Sequence, residues 1–260
     1  MPCSKKPFAL KHNFIVTSLL CSKNQTICSK NHPFYPLNRF LCSMKLWLQK
    51  QENLLTLILI IFYSVGLVGI GLNPKEFAQL TPFNLLLTAF LLFKLHPEKD
   101  LLFFINLLFV FVGAWFLEMI GVTTGLIFGN YQYGSALGFK LNQTPVIIGL
   151  NWIIVAYSSL QLVQTIALRF KQKIHEILGA LFAALFMVLL DMLIEPLAPK
   201  LDFWTWQNNL IPAQNYTAWF FFGFAFCYWM LKGGLLKNNP MGWRVYMAQF
   251  AFFAFLNLSI

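Results

Sequence analysis

The sequence predicts an all-α protein, a polytopic transmembrane helical bundle of about seven spans with a cytoplasmic N-terminus. Three observations carry this. Of the 260 residues 58% are hydrophobic and 11% charged, against about a quarter charged in soluble domains. The apolar residues gather in long runs broken by short polar gaps, so lipid rather than water is the solvent for most side chains. Lys and Arg alternate in number from gap to gap, as membrane orientation requires.

A helix needs about 20 apolar residues to cross the hydrocarbon core. The runs fall at residues 54–72, 83–95, 101–120, 145–168, 177–196, 217–231 and 244–260. The second is the shortest. It is retained because the alternation depends on it: with seven spans, 16 Lys and Arg fall on one side and 3 on the other. The richer side is cytoplasmic by the positive-inside rule, which puts the N-terminus inside and the C-terminus outside. Residues 44–260 are expected to form one transmembrane domain. The integral, multi-pass chain is expected in a bacterial inner membrane.

Residues 1–43 are basic, rich in Ser, Lys and Asn, and free of sustained periodicity. They read as a poorly ordered extension, as a segment upstream of a true start at Met44, or as a transit-like peptide that is poor in Arg. The formal charge of +10 is concentrated here, with eight Lys and Arg before the first acid, Glu52. No basic domain interleaved with aromatics is present, which argues against nucleic acid as a partner. Cys3, Cys21, Cys28 and Cys42 fit no zinc spacing.

The acids are placed less evenly. Glu118 lies near the outer end of the third span, Asp191 and Glu195 near the outer end of the fifth, and Asp202 in the following gap. Four of nine acids thus collect at the non-cytoplasmic face. Asp191 and Glu195, four residues apart, share one side of their helix. Carboxyls inside a membrane are costly and usually turn toward the bundle interior. The outer gaps, 121–145 and 195–219, add Thr123, Thr124, Asn130, Tyr131, Tyr133, Trp204, Trp206, Asn208 and Asn215. All four His residues lie elsewhere, so a His-based metal centre or triad at this face is not expected, and an all-carboxylate metal site has little support.

Structural readings compete with functional ones. Gly121, Gly125 and Gly129, echoed by Gly134 and Gly138, form a small-residue stripe if helical. The alternative is a backbone that comes close to a flat, rigid ligand. The Trp and Tyr residues could be an interfacial belt, and the acids could tie helices together. The run WFFFGFAFCYW, Trp219 to Trp229, reads as lipid-facing and packing surface.

The pattern E-x-x-G-V-x-T-G-x-I-F-G-x-Y-x-Y (Glu118 to Tyr133), then D-x-x-x-E-P-x-A (Asp191 to Ala198), W-x-W (Trp204, Trp206) and N-Y-x-x-W (Asn215 to Trp219) resembles the membrane carotenoid hydratases. These are the carotenoid biosynthesis proteins of the carotenoid 1',2'-hydratase and bisanhydrobacterioruberin hydratase type. The likeness covers most of Met44 to Ile260. It implies addition of water to the terminal C=C of an acyclic or monocyclic carotenoid, with no redox or organic cofactor. Carotenoid, water, the lipid bilayer and other enzymes of carotenoid biosynthesis would be its partners.

The residues suit such chemistry. An unactivated alkene is a weak base and needs a strong acid. A carboxyl beside hydrocarbon keeps its proton because desolvation penalises the charged form, and it can then act as a general acid. Aromatic faces stabilise the tertiary cation by about 0.5–2 kcal/mol each. Asp191 is the expected proton donor. Glu118 and Glu195 are expected to position water or assist proton transfer. Tyr131, Tyr133, Trp204 and Trp206 are expected around the end group with Thr123 and Thr124, and Asn208 and Asn215 are expected to hold water. A carotenoid cyclase shares the first protonation. A non-catalytic lipid-binding protein or transporter is the rival from another class.

Overall fold

A computed structural model describes residues 35–173 and 175–259. The expected extension lies, up to residue 34, outside the described residues, and from Tyr35 the backbone is helical. The described residues fall into two compact units, one up to Asn53 and one from Leu54 onward. The second unit carries the polar gaps and the acids that cluster between them.

Each apolar run falls on a helix. These are α1 (Tyr35–Leu72), the short α2 (Pro74–Ala78), α3 (Thr81–Lys94), α4 (Leu101–Thr124), α5 (Ile148–Arg169), α6 (Glu176–Ile194), α7 (Ala213–Lys232) and α8 (Pro240–Ser259). Among the described residues, four helices are long and apolar enough to cross a membrane: the 49–72 part of α1, α4, α5 and α6. The all-α expectation needs one amendment. Strand β1 (Tyr131–Tyr133) pairs antiparallel with β4 (Trp204–Trp206), and β2 (Lys140–Leu141) with β3 (Thr144–Pro145). The first ladder ties together the two polar gaps expected on one face.

Helix α4 shows how the bundle sorts its side chains. Phe103, Asn106, Val110, Ala114, Glu118 and Gly121 are buried, while Leu101, Phe104, Ile105, Leu108, Val112 and Phe116 are exposed. The buried stripe recurs every three or four residues, as one helical face must. Beside Phe103 and Val110 it holds the helix's small and polar groups, while most of the large apolar groups point outward. That is the sorting expected where lipid surrounds the bundle and small residues let helices approach. Asp100 caps the helix start by accepting from the Phe103 N–H at 2.8 Å. The helix stops after Thr124, where Gly125 turns left-handed (φ 68°) and its N–H reaches the Gly121 carbonyl at 2.8 Å. A left-handed residue at this position is a common helix stop, and glycine adopts it without strain.

Gly121, Gly125 and Gly129 therefore do not form a helical stripe, because only Gly121 is helical and Gly129 has φ 108°. At Gly121 an added Cβ would lie 2.5 Å from the Phe128 ring, so the missing side chain lets the following turn fold back onto the helix end.

Helix α5 is the central element and packs against α3, α4, α6, α7 and α8. Below its first turns a buried polar network joins distant segments. His96 Nδ1 lies 2.6 Å from the Tyr157 hydroxyl. The Asn239 amide donates to that hydroxyl at 3.2 Å and to the Leu92 carbonyl at 2.6 Å. Burial holds His96, in the loop after α3, at a pKa of about 4, so it stays neutral. Its role is to anchor that loop against α5.

Candidate active site

The site is assembled from segment ends. Glu118 stands in the last two turns of α4, Ile148 and Trp152 in the first turns of α5, and Asp191 and Glu195 where α6 ends. Asn215 and Trp219 stand in the first turns of α7. The β1–β4 ladder closes over them. Its register sets Tyr131 opposite Trp206 and Tyr133 opposite Trp204. Both pairs are in ring contact, with centroids 5.1 Å apart for Tyr131–Trp206 and 6.2 Å for Tyr133–Trp204.

Glu118, Asp191 and Glu195 are each 2–4% exposed. The shared side of Asp191 and Glu195 does face the bundle, and the Glu195 N–H bonds the Asp191 carbonyl at 2.9 Å. Pro196 follows and has no N–H to continue the ladder. Glu118 accepts three hydrogen bonds: Tyr131 and Tyr133 hydroxyls at 2.6 Å each on Oε2, and the Trp152 indole N–H at 2.8 Å on Oε1. Glu195 also accepts three. Trp206 (2.6 Å) and Trp204 (3.1 Å) donate to Oε2, and Asn215 donates to Oε1 at 2.8 Å. The same Asn215 amide donates to Asp191 Oδ2 at 2.9 Å. Asp191 Oδ1 is buried with no hydrogen-bond partner.

Electrostatics follow from this burial. Tyr131 and Tyr133 are pushed well above the usual phenol range, first by burial and then by Glu118, so both remain hydroxyl donors. Asp202 behaves in the opposite way. Ser135 donates to its Oδ2 from both hydroxyl (2.5 Å) and N–H (2.8 Å), and the hydroxyl bond most of all holds this carboxyl below its ordinary range. Asp202 is a loop anchor and does not join the other three acids.

Two cavities meet at the site. One, of about 20 Å³, is walled by Glu118, Glu195, Asn215, Tyr131, Tyr133, Trp204, Trp206, Trp219, Phe128 and Ile148. That volume suits one water, which needs at least ~10–15 Å³ and two to four polar partners. The other, of about 440 Å³, is apolar and lies among α1, α3 and α8. Ile148 and Trp204 line both. Asp191 lines neither and stands behind Asn215.

The expected site residues divide accordingly. Glu118, Glu195, Tyr131, Tyr133, Trp204, Trp206 and Asn215 wall the small cavity, with Asp191 bonded to that wall. Thr123, Thr124 and Asn208 are corrections. The threonine hydroxyls turn back to carbonyls of their own helix, Met119 and Ile120, at 2.6 Å and are exposed. Asn208 is exposed in a short 3-10 turn with φ 58°. Trp219 also departs from the expected packing surface. It stacks on Trp152 with centroids 3.9 Å apart and planes 7° from parallel. Phe221 and Trp229, on the same helix, do face outward. Trp152 lies outside the expected set, although an indole N–H buried in an apolar run signals a hidden acceptor. Among the described residues no group of three or more His, Cys, Asp or Glu is arranged to hold a metal ion.

Fold and site together define a helical bundle of membrane type with a buried acid cluster beside an apolar chamber. The chain belongs to the carotenoid biosynthesis protein family, whose family model matches residues 80–260. No curated protein and no solved structure matches the chain.

Proposed function

We propose that the chain is a carotenoid hydratase, adding water across the terminal C=C of an acyclic carotenoid end group. The observation that carries this reading is the junction of the two cavities. A space for one water, walled by Glu118 and Glu195, shares Ile148 and Trp204 with an apolar chamber inside the ~300–1,000 Å³ range of ligand sites. The alkene would lie at that partition, with the polyene running into the chamber.

The hydrogen-bond inventory supports the following roles. Glu118 and Glu195 are each engaged by three donors and act as acceptors that orient the attacking water. Asp191 has one donor and one bare oxygen, so its Oδ1 is where a transferable proton fits. Asp191 protonates the less substituted alkene carbon, leaving a tertiary cation that the faces of Trp204 and Trp206 stabilise. Water adds to the cation. Its surplus proton passes to Glu195, and a proton then returns from Glu195 to Asp191 once their carboxyls turn off the Asn215 amide, which only donates to both. The net change is one water added. Because Asp191 stands behind Asn215, the transfer requires its carboxyl or the Asn215 amide to rotate.

In the membrane, seven spans are proposed, α1 and α3 to α8, with the N-terminus cytoplasmic and the site beneath the outer face of a bacterial inner membrane. The match of each run to a helix and the distribution of Lys and Arg support it. The test is expression in a host that accumulates acyclic carotenes, with pigments weighed by mass spectrometry. A mass gain of one water is expected, and Asp191→Asn should reduce it at least ~100-fold, the scale of lost general-acid catalysis. A product of unchanged mass but altered spectrum would replace hydration with cyclisation. No new pigment at all would leave binding or transport.

A further inference from the structure

The large chamber is not uniformly apolar. Gln249, on α8, is 4% exposed and lines it, and Asn84, on α3, lines it too. Gln249 Oε1 and Asn84 Oδ1 are both buried without a hydrogen-bond partner. Beside them the Tyr63 hydroxyl lies 3.4 Å from Thr88 Oγ1 and next to Gln249. Buried side-chain acceptors are rarely left unpaired, and each exception asks for a donor that has not been seen. Here two such acceptors belong to residues of different helices that both line one cavity, and each oxygen lies just behind the cavity wall. A hydrocarbon gives them nothing, because it has no donor. A hydroxyl on an otherwise apolar chain matches both the apolar walls and the unpaired oxygens.

We propose that the chamber is a binding site for an isoprenoid alcohol, whose single hydroxyl hydrogen is shared between Gln249 Oε1 and Asn84 Oδ1 in a three-centre bond after a small rotation of both side chains. That the alcohol is the reaction product rests on the hydration reading. The site would then hold the hydrated end group, once it has moved from the partition into the chamber, more tightly than the hydrocarbon from which it came. Phe62, Val65 and Phe83, all exposed and all on the chamber wall, open it sideways from the bundle, where a lipid-dissolved ligand would enter and leave.

The test is equilibrium binding to the full chain in detergent, read by quenching of tryptophan fluorescence, since Trp204 lines the chamber. The probes are geranyllinalool, a linear isoprenoid tertiary alcohol, and the isoprenoid hydrocarbon with the same carbon skeleton and double bonds but no hydroxyl. The alcohol should bind about fivefold more tightly, the ratio that one net hydrogen bond of ordinary strength gives. Gln249→Met or Asn84→Leu should bring the ratio toward one while leaving hydrocarbon binding in place. The two variants sit on separate helices, so loss of folding in one leaves the other to decide. Equal binding of both probes by the parent chain overturns the proposal, as does a ratio that neither variant changes. No turnover is measured. A chain that prefers the alcohol yet hydrates nothing therefore overturns only the hydration reading, and one that hydrates without preference overturns only this one.

Discussion

Replacing Asn215 with Ala tests the organisation of the acid cluster most directly. One amide nitrogen supplies both its hydrogens to carboxyl oxygens, at 2.9 Å to Asp191 and 2.8 Å to Glu195. Removing one partner of a buried hydrogen bond and leaving the other unsatisfied costs about 1–3 kcal/mol. Taking ~1.5 kcal/mol for each bond gives a loss of ~3 kcal/mol. For a chain of this size ~1 kcal/mol moves the melting temperature by about 2–4 °C, so a fall of about 6–12 °C is expected. The assay is thermal unfolding of the detergent-purified protein followed by intrinsic fluorescence. The cycle with Asp191→Ala sharpens it: if half of the loss runs through Asp191, removing Asn215 from that background should cost only about half as much. A fall below ~1 kcal/mol, or full additivity in the cycle, would refute the bridge as the element that holds the two acids together.

Other outcomes follow from the same geometry. Trp152→Phe keeps the stack on Trp219 but leaves Glu118 Oε1 without its donor, which should cost about 1–3 kcal/mol in the same melt; no measurable change would show that the bond carries little. Thr123→Val and Asn208→Ala, both exposed and away from the cavities, should leave stability within ~0.5 kcal/mol and pigment yield unchanged. A large loss of yield in either would return that residue to the site.

Much of the fold was legible because each cue was local. Apolar runs of sufficient length mark helices wherever they stand in the chain, and each expected run lies on one. The i,i+4 spacing of Asp191 and Glu195 fixed their shared face. The crowding of polar and aromatic groups in two gaps pointed to one cluster, which the β1–β4 ladder closes. The misjudged residues belong to turns and to helix rotation. Thr123, Thr124 and Asn208 have suitable chemistry, but the stop at Gly125 and the 3-10 turn aim them outward. Trp152 and Trp219 sit in runs that resemble any other apolar segment until two helices meet and their rings stack.

The sequence by itself determined the helices, their order and which segments carry acids, because those follow from solvent preference along a single chain. Only tertiary structure decided that one asparagine joins two carboxyls, that three donors surround Glu118, and that a water-sized cavity abuts an apolar chamber. Those depend on the rotation and crossing of helices far apart in the chain. Rotations of that kind are set by packing many side chains at once, and no residue's own chemistry encodes them.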